Sequence, residues 1–308
     1  MKPFLSLAAL LLVLASGLIP QHSIAKSERV GYDVVIVGGT LYDGSGKPGR
    51  KADIGIVGER IVAIGKINAK NARTVVDASG KAVTPGFINM LSWANESLIV
   101  DGRGRSDLKQ GVTLEVFGEG WSMGPYSPVM KAELIKQQSD FKYDIAWSTL
   151  GGYLDHMVAK GVSPNIASFV GAATVRIHEL GAADKKATPA QLLRMQALVR
   201  AAMQEGAMGV GSSLIYAPGS FADTDELIAL SKAAAPLGGR YISHLRSEAD
   251  NVEVAVNELI QIAREAKIGA EIYHLKLAGQ SNWGKFGAVV RASPTYRAII
   301  CSKMASNN

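Results

Sequence analysis

Cysteine is almost missing from this sequence. Among 308 residues only Cys301 occurs, so no internal disulfide can form and the fold must rest on its core. Histidine is scarce too, at five residues, which makes the position of each one informative. Charged residues reach only 19% against 47% hydrophobic ones, a balance that excludes a disordered chain. Acid is absent after Glu271, where five bases follow: Lys276, Lys285, Arg291, Arg297 and Lys303. With Lys2, the sole charge in residues 1–25, they account for the whole net charge of +6. Residues 26–271 are therefore neutral overall, and nothing electrostatic points to nucleic acid or an anionic membrane.

The acid-free end also lacks a usable helical or strand period in "VVRASPTYRAIICSKMASNN". Residues 287–308 read as an atypical basic tail not native to the fold, as after a frameshift or a spliced-in end. An ordinary basic tail is the alternative. At the other end, Lys2 precedes the apolar run Leu5 to Ile19, and "SIA" offers small residues for cleavage. Residues 1–25 read as a cleaved secretory signal, because the run falls short of the ~20 residues that span a bilayer. The expectation is an exported protein, periplasmic or secreted, with no stable membrane insertion once the signal is removed.

Between these ends the pattern changes once. Residues 31–83 read as β: "YDVVIVGGTLYD", "ADIGIVGERIVAIGK" and "RTVVDASGKAV" are apolar runs bounded by turn signals such as Gly58-Glu59 and Ser79-Gly80. No G-x-G-x-x-G opens a helix after "VVIVGG", which argues against a dinucleotide site. From Val83 onward, strands alternate with helices. Strand candidates are Val83–Ile88, Val112–Phe117, Ile166–Val170, Ala207–Gly211, Arg240–Ser243 and Ala270–Tyr273, with Ile145–Leu150 as a further short one. Helix starts are marked by Ser127-Pro128, by Thr188-Pro189 with Gln191, and by Asp223 with Glu226. Six strand–helix units predict an α/β fold, an incomplete (β/α)8 TIM-type barrel over 84–286 behind a small β domain.

Two of these strands end on histidine. "RYISHLRSE" ends on His244, and "AEIYHLKLAG" ends on His274 with Lys276 two residues later. Side chains at the C-terminal ends of barrel strands face the active site. Neighbouring strands lie about 5 Å apart, so the two imidazoles can share one metal ion. The competing reading is two histidines bonded to backbone or acids. A second motif, "GWSMG", matches the nucleophile elbow G-x-S-x-G around Ser122. Pro125 and Pro128 delay the helix that motif needs, so a serine hydrolase stands as a lesser alternative.

The stretches "VTPGFIN", "QGVTLEVFGEG", "SSLIYAPGSFADTDELIALSKAAAPLGGRYISHLRSE" and "IYHLKLAGQSNWGK" resemble the amidohydrolase superfamily, nearest to the D-aminoacylases (N-acyl-D-amino-acid deacylases). The resemblance covers about residues 31–286. It implies a distorted barrel with a small β-sandwich, and zinc-dependent hydrolysis of a non-peptide amide in a small N-acyl amino acid or related compound. By the same resemblance, His244 and His274 are zinc ligands, and Lys276 and Arg246 contact substrate. The family motif "PGFID-x-H-x-H" is lost: Asn89 stands at its aspartate, Leu91 and Trp93 at its histidines. One metal position should therefore be empty, leaving one zinc ion. The branch takes a cysteine after its second strand as a further ligand, and here Glu119 is the nearest replacement, or else a solvated turn residue. Ala172 replaces another family histidine in "FVGAATVR". The family's general acid–base aspartate lies beyond the resemblance, so no catalytic residue is assignable. The expectation is a weakly active or inactive amidohydrolase chain, or alternatively a non-catalytic small-molecule-binding pseudoenzyme on the same fold.

Overall fold

The structure, a computed structural model, describes residues 31–292. The expected signal, Cys301 and residues 293–308 of the basic tail lie outside the described residues. The chain divides into two units, one ending at Pro85 and the other beginning at Gly86.

The first unit is built from short strands. One sheet contains β1 (Tyr32–Val37), β4 (Asp53–Val57), β5 (Arg60–Gly65) and β6 (Ala72–Asp77), in the order β5-β4-β1-β6. The other has β2 (Thr40–Leu41), β3 (Arg50–Lys51) and β7 (Ala82–Val83), in the order β3-β2-β7. Strands β4 and β5 form a hairpin closed at Gly58, whose φ of +55° is open to glycine at little cost.

The second unit is the partial barrel. Its strands are β8 (Phe87–Asn89), β9 (Val112–Phe117), β10 (Asn165–Ser168), β11 (Val170–Gly171), β12 (Gly209–Ser213), β13 (Arg240–His244) and β14 (Gly269–Ile272). Every pairing among them is parallel, in sequence order. Strands β10 and β11 are one strand interrupted at Phe169, whose backbone N–H still reaches Phe117 O at 2.9 Å. Six barrel strands result, in line with the expected α/β fold.

Helices cover the strands. They are α1 (Ser97–Val100), α2 (Arg105–Leu108), α3 (Pro128–Gln137), α4 (Leu150–Lys160), α5 (Ala172–Leu180), α6 (Pro189–Gln204), α7 (Thr224–Ala234), α8 (Val252–Ala266) and α9 (Phe286–Ala292). Local chemistry starts them as the sequence predicts. Ser127 accepts from Met130 N, Thr188 and Gln191 form a reciprocal capping box, and Asp223 accepts from Glu226 N. On α8 the predicted face of Val252, Val256, Leu259 and Ala263 is buried in the main core. A smaller cluster of Val116, Phe169, Ile242 and Tyr273 fills the interior between strands, with Leu91 packed against it.

One expectation is corrected here. Ile145–Leu150 is not a strand; it is an irregular segment whose Trp147 indole donates to Met123 O at 2.7 Å, and Leu150 opens α4. Of the expected tail, residues 287–292 lie in α9, and Val289 is buried in the core.

Candidate metal centre

The site forms where β9, β13 and β14 end. Strand β9 runs out into Gly118-Glu119-Gly120. Gly118 has φ +105°, and a Cβ there would lie 2.3 Å from Phe169 O. Gly120 has φ +75°, and a Cβ there would lie 2.7 Å from Ser213 Cβ. Only glycine lets the chain turn this tightly against its neighbours, and the turn aims Glu119 at the barrel mouth. His244 is the last residue of β13. His274 follows β14 with φ +30°, a backbone state that a non-glycine residue holds only when its surroundings enforce it.

The three side chains meet. Glu119 Oε1 lies 2.9 Å from His244 Nδ1 and 3.1 Å from His274 Nε2. One nitrogen or oxygen from each of the three lies within 4.8 Å of the others. The imidazole rings stand edge-to-face with centroids 4.5 Å apart. Glu119 is a buried carboxylate, 7% exposed, and so not the solvated turn residue of the alternative reading. Its second oxygen, Oε2, accepts the indole N–H of Trp93 at 3.0 Å.

A second carboxylate stands behind the rings. Glu248 Oε1 lies 3.2 Å from His274 Nδ1, 3.4 Å from His244 Nε2 and 2.6 Å from Lys276 Nζ. Glu248 was missed by sequence reasoning, although it stands four residues after His244 in "SHLRSE". Burial alone would raise the Glu119 carboxyl, but its hydrogen bonds with His244 and His274 hold it down at about 2. Burial likewise opposes charge on Glu248, and contacts with His274 and Lys276 outweigh it and lower its pKa. Hydrogen bonds to Glu119 and then to Glu248 raise His274 to about 9. The two carboxylates thus draw a positive charge to the space between the rings.

A cation fits this space. Two imidazoles and a carboxylate oxygen are a zinc-type donor set that leaves a fourth position open. His244 Nε2 is buried and has no hydrogen-bond partner. A cation on Nδ1 would put the proton on Nε2, facing Glu248, which is how a carboxylate behind a ligand orients it. The cleft above has a volume of about 480 Å³ and is lined by Trp93, Trp121, Ser213, Tyr216 and Lys276 besides the cluster.

Other predicted residues are placed differently. Lys276 lines the cleft with its side chain 52% exposed. Arg246 does not. Its guanidinium binds Glu258 and the carbonyls of Ser220 and Ala222, so the expected substrate contact is corrected to a structural tie. Ser122 is no nucleophile: its hydroxyl donates to Gly124 O at 2.6 Å and accepts Gly171 N–H at 2.8 Å. The serine-hydrolase alternative falls with it. Leu91 packs in the barrel interior. Asn89 donates to Glu115, a carboxylate buried beneath the site and raised by that burial.

No family model matches the chain. Relatives do. It is 33% identical over 265 residues to a D-aminoacylase of Alcaligenes xylosoxydans xylosoxydans, covering 85% of this chain and 54% of that one. It is 33% identical over 280 residues to an N-acyl-D-aspartate deacylase of the same organism, covering 87% and 55%. A crystal structure of an N-acyl-D-glutamate deacylase from Bordetella bronchiseptica, complexed with zinc and a phosphonate inhibitor, superposes with a TM-score of 0.75 at 32% identity. That match covers 85% of this chain and 55% of the other. The chain spans about half the length of the curated relatives it matches.

Proposed function

The chain belongs to the D-aminoacylase branch of the amidohydrolase superfamily, and on that premise we propose that its cluster holds one zinc ion and that the protein deacylates N-acyl-D-amino acids. The single observation that carries the reading is the convergence of Glu119, His244 and His274 on one point at the strand ends. The presence of zinc in the N-acyl-D-glutamate deacylase supports the choice of metal. Lost histidines at Leu91 and Trp93 support a single ion, because neither side chain is a ligand.

When bound, zinc lowers the pKa of a water from 15.7 to about 7 and polarises a carbonyl, which is the chemistry amide hydrolysis needs at neutral pH. The protein's own residues set the geometry. Trp93 fixes Oε2 of Glu119, which leaves Oε1 as the oxygen facing the rings. Glu248 accepts a hydrogen bond from the Nδ1–H of His274, which leaves Nε2, on the side of Glu119, as the ring nitrogen open to a cation. Lys276, at the rim of the cleft, offers a positive charge for the carboxylate of an amino-acid substrate.

The test is elemental analysis of the purified protein together with hydrolysis of N-acetyl-D-amino acids. About one zinc per chain, lost in His244→Ala and Glu119→Ala, is the expected result. A protein that takes up no metal under zinc loading would remove the proposal. Full zinc with substrate binding but no turnover would select the pseudoenzyme reading, which the missing histidine pair favours.

A further inference from the structure

A second cavity adjoins the metal cluster. It measures about 220 Å³ and is lined by Trp93, Phe117, Trp121, Met123, Tyr126 and Leu134, with Glu119 at its inner edge. That volume exceeds the roughly 150 Å³ of an apolar cavity able to hold a benzene ring. Glu119 also lines the wider cleft, so the two spaces meet at the candidate ligand. Their chemistry is opposite. Lys276 stands in the cleft. The cavity has no lysine, arginine or histidine in its lining, and its charged groups are the carboxylates Glu119 and Glu96. Glu96 is fixed there by the hydroxyl of Tyr143, which donates to its Oε1 at 2.7 Å.

An N-acyl amino acid is asymmetric in the same sense. With its scissile carbonyl at the cluster, one arm carries a carboxylate and the other an acyl chain. The carboxylate arm belongs beside the ammonium of Lys276, and the acyl arm then enters the cavity. We propose that this cavity is the acyl subsite, and that it selects uncharged, apolar acyl groups longer than acetyl while excluding acyl groups that end in a carboxylate. The proposal rests on the amidohydrolase reading above and adds the class of acyl group.

The experiment measures equilibrium binding by calorimetry to the full chain, zinc-loaded and zinc-stripped. The probes are N-acetyl-, N-butanoyl-, N-hexanoyl- and N-succinyl-D-methionine. Each added methylene should strengthen binding about three- to fourfold until the cavity is full, and the succinyl compound should bind more weakly than the butanoyl one. The length dependence belongs to the cavity, so it should survive zinc removal at lower overall affinity. Leu134→Arg, at a half-buried position on α3, places a cation in the cavity. It should abolish the length dependence and restore succinyl binding relative to the butanoyl compound. Equal affinity for all acyl lengths, or an unchanged length dependence in Leu134→Arg, overturns the proposal. Failure of zinc uptake is read separately from the metal content and overturns only the metal reading, since the length series in stripped protein still decides the subsite.

Discussion

Trp93 shows how one substitution can trade a ligand for a brace. Where the family carries a histidine, this chain presents an indole N–H to Glu119 Oε2. Removing that donor while keeping an aromatic ring should loosen the carboxylate. Trp93→Phe is expected to weaken zinc binding by about 10- to 100-fold, the range seen when a partner behind a metal ligand is lost; competition with a chromophoric chelator reads it. His274 makes a second prediction. In the metal-free protein Glu119 and Glu248 keep it protonated up to about pH 9, so zinc must displace that proton. Zinc affinity should rise about tenfold per pH unit through neutrality and level off near pH 9. Titrations in buffers of different ionisation enthalpy should show about one proton released. For stability of the metal-free protein the sign is opposite. The raised pKa makes the contribution of His274 complete below its ordinary 6.5 and lost as pH climbs through about 9. Glu119 contributes fully above its ordinary 4.5 and loses this as pH falls through about 2.

At the scale of elements, a buried ion pair ties α5 to α7. Arg176 Nη1 lies 2.5 Å from Glu226 Oε2, with both side chains almost wholly buried. Burial raises the pKa of Glu226 in spite of the arginine. Arg176→Met should lower stability by about 3–5 kcal/mol, because it strands a buried carboxylate, and Arg176→Met with Glu226→Leu should recover most of that. Urea unfolding of both variants checks it. Helix ends were legible from local chemistry, since caps act within four residues. The segment 145–150 was not, because an apolar run alone cannot tell a strand from an irregular segment packed in the core. Arg246 was misread for a related reason. Its neighbour in sequence is the site, but its guanidinium turns to Glu258 on α8.

For the whole molecule, zinc would join three strand ends that are distant in sequence. Glu119 lies 125 residues from His244 and 155 from His274. A ligand that binds only the folded state stabilises it by mass action. Zinc at 100 times its Kd should raise unfolding stability by about 2.7 kcal/mol, reversed by a chelator and absent in His244→Ala. A thermal shift measured with and without zinc decides this. An unchanged midpoint at saturating zinc would mean the cluster does not bind the ion across the folded barrel.

What the sequence determined by itself is what local periodicity and end chemistry encode: strand–helix alternation, capped helices, and two histidines set at strand ends. The amphipathic face of α8 belongs here too, since 3.6-residue spacing leaves its apolar residues no other side to bury. Tertiary structure alone decided which groups meet. The position of Glu119 Oε1 between two rings, the place of Glu248 behind them and the diversion of Arg246 depend on how parallel strands align and how glycines at 118 and 120 turn the chain. Such contacts join residues far apart along the chain, and no local pattern carries their geometry.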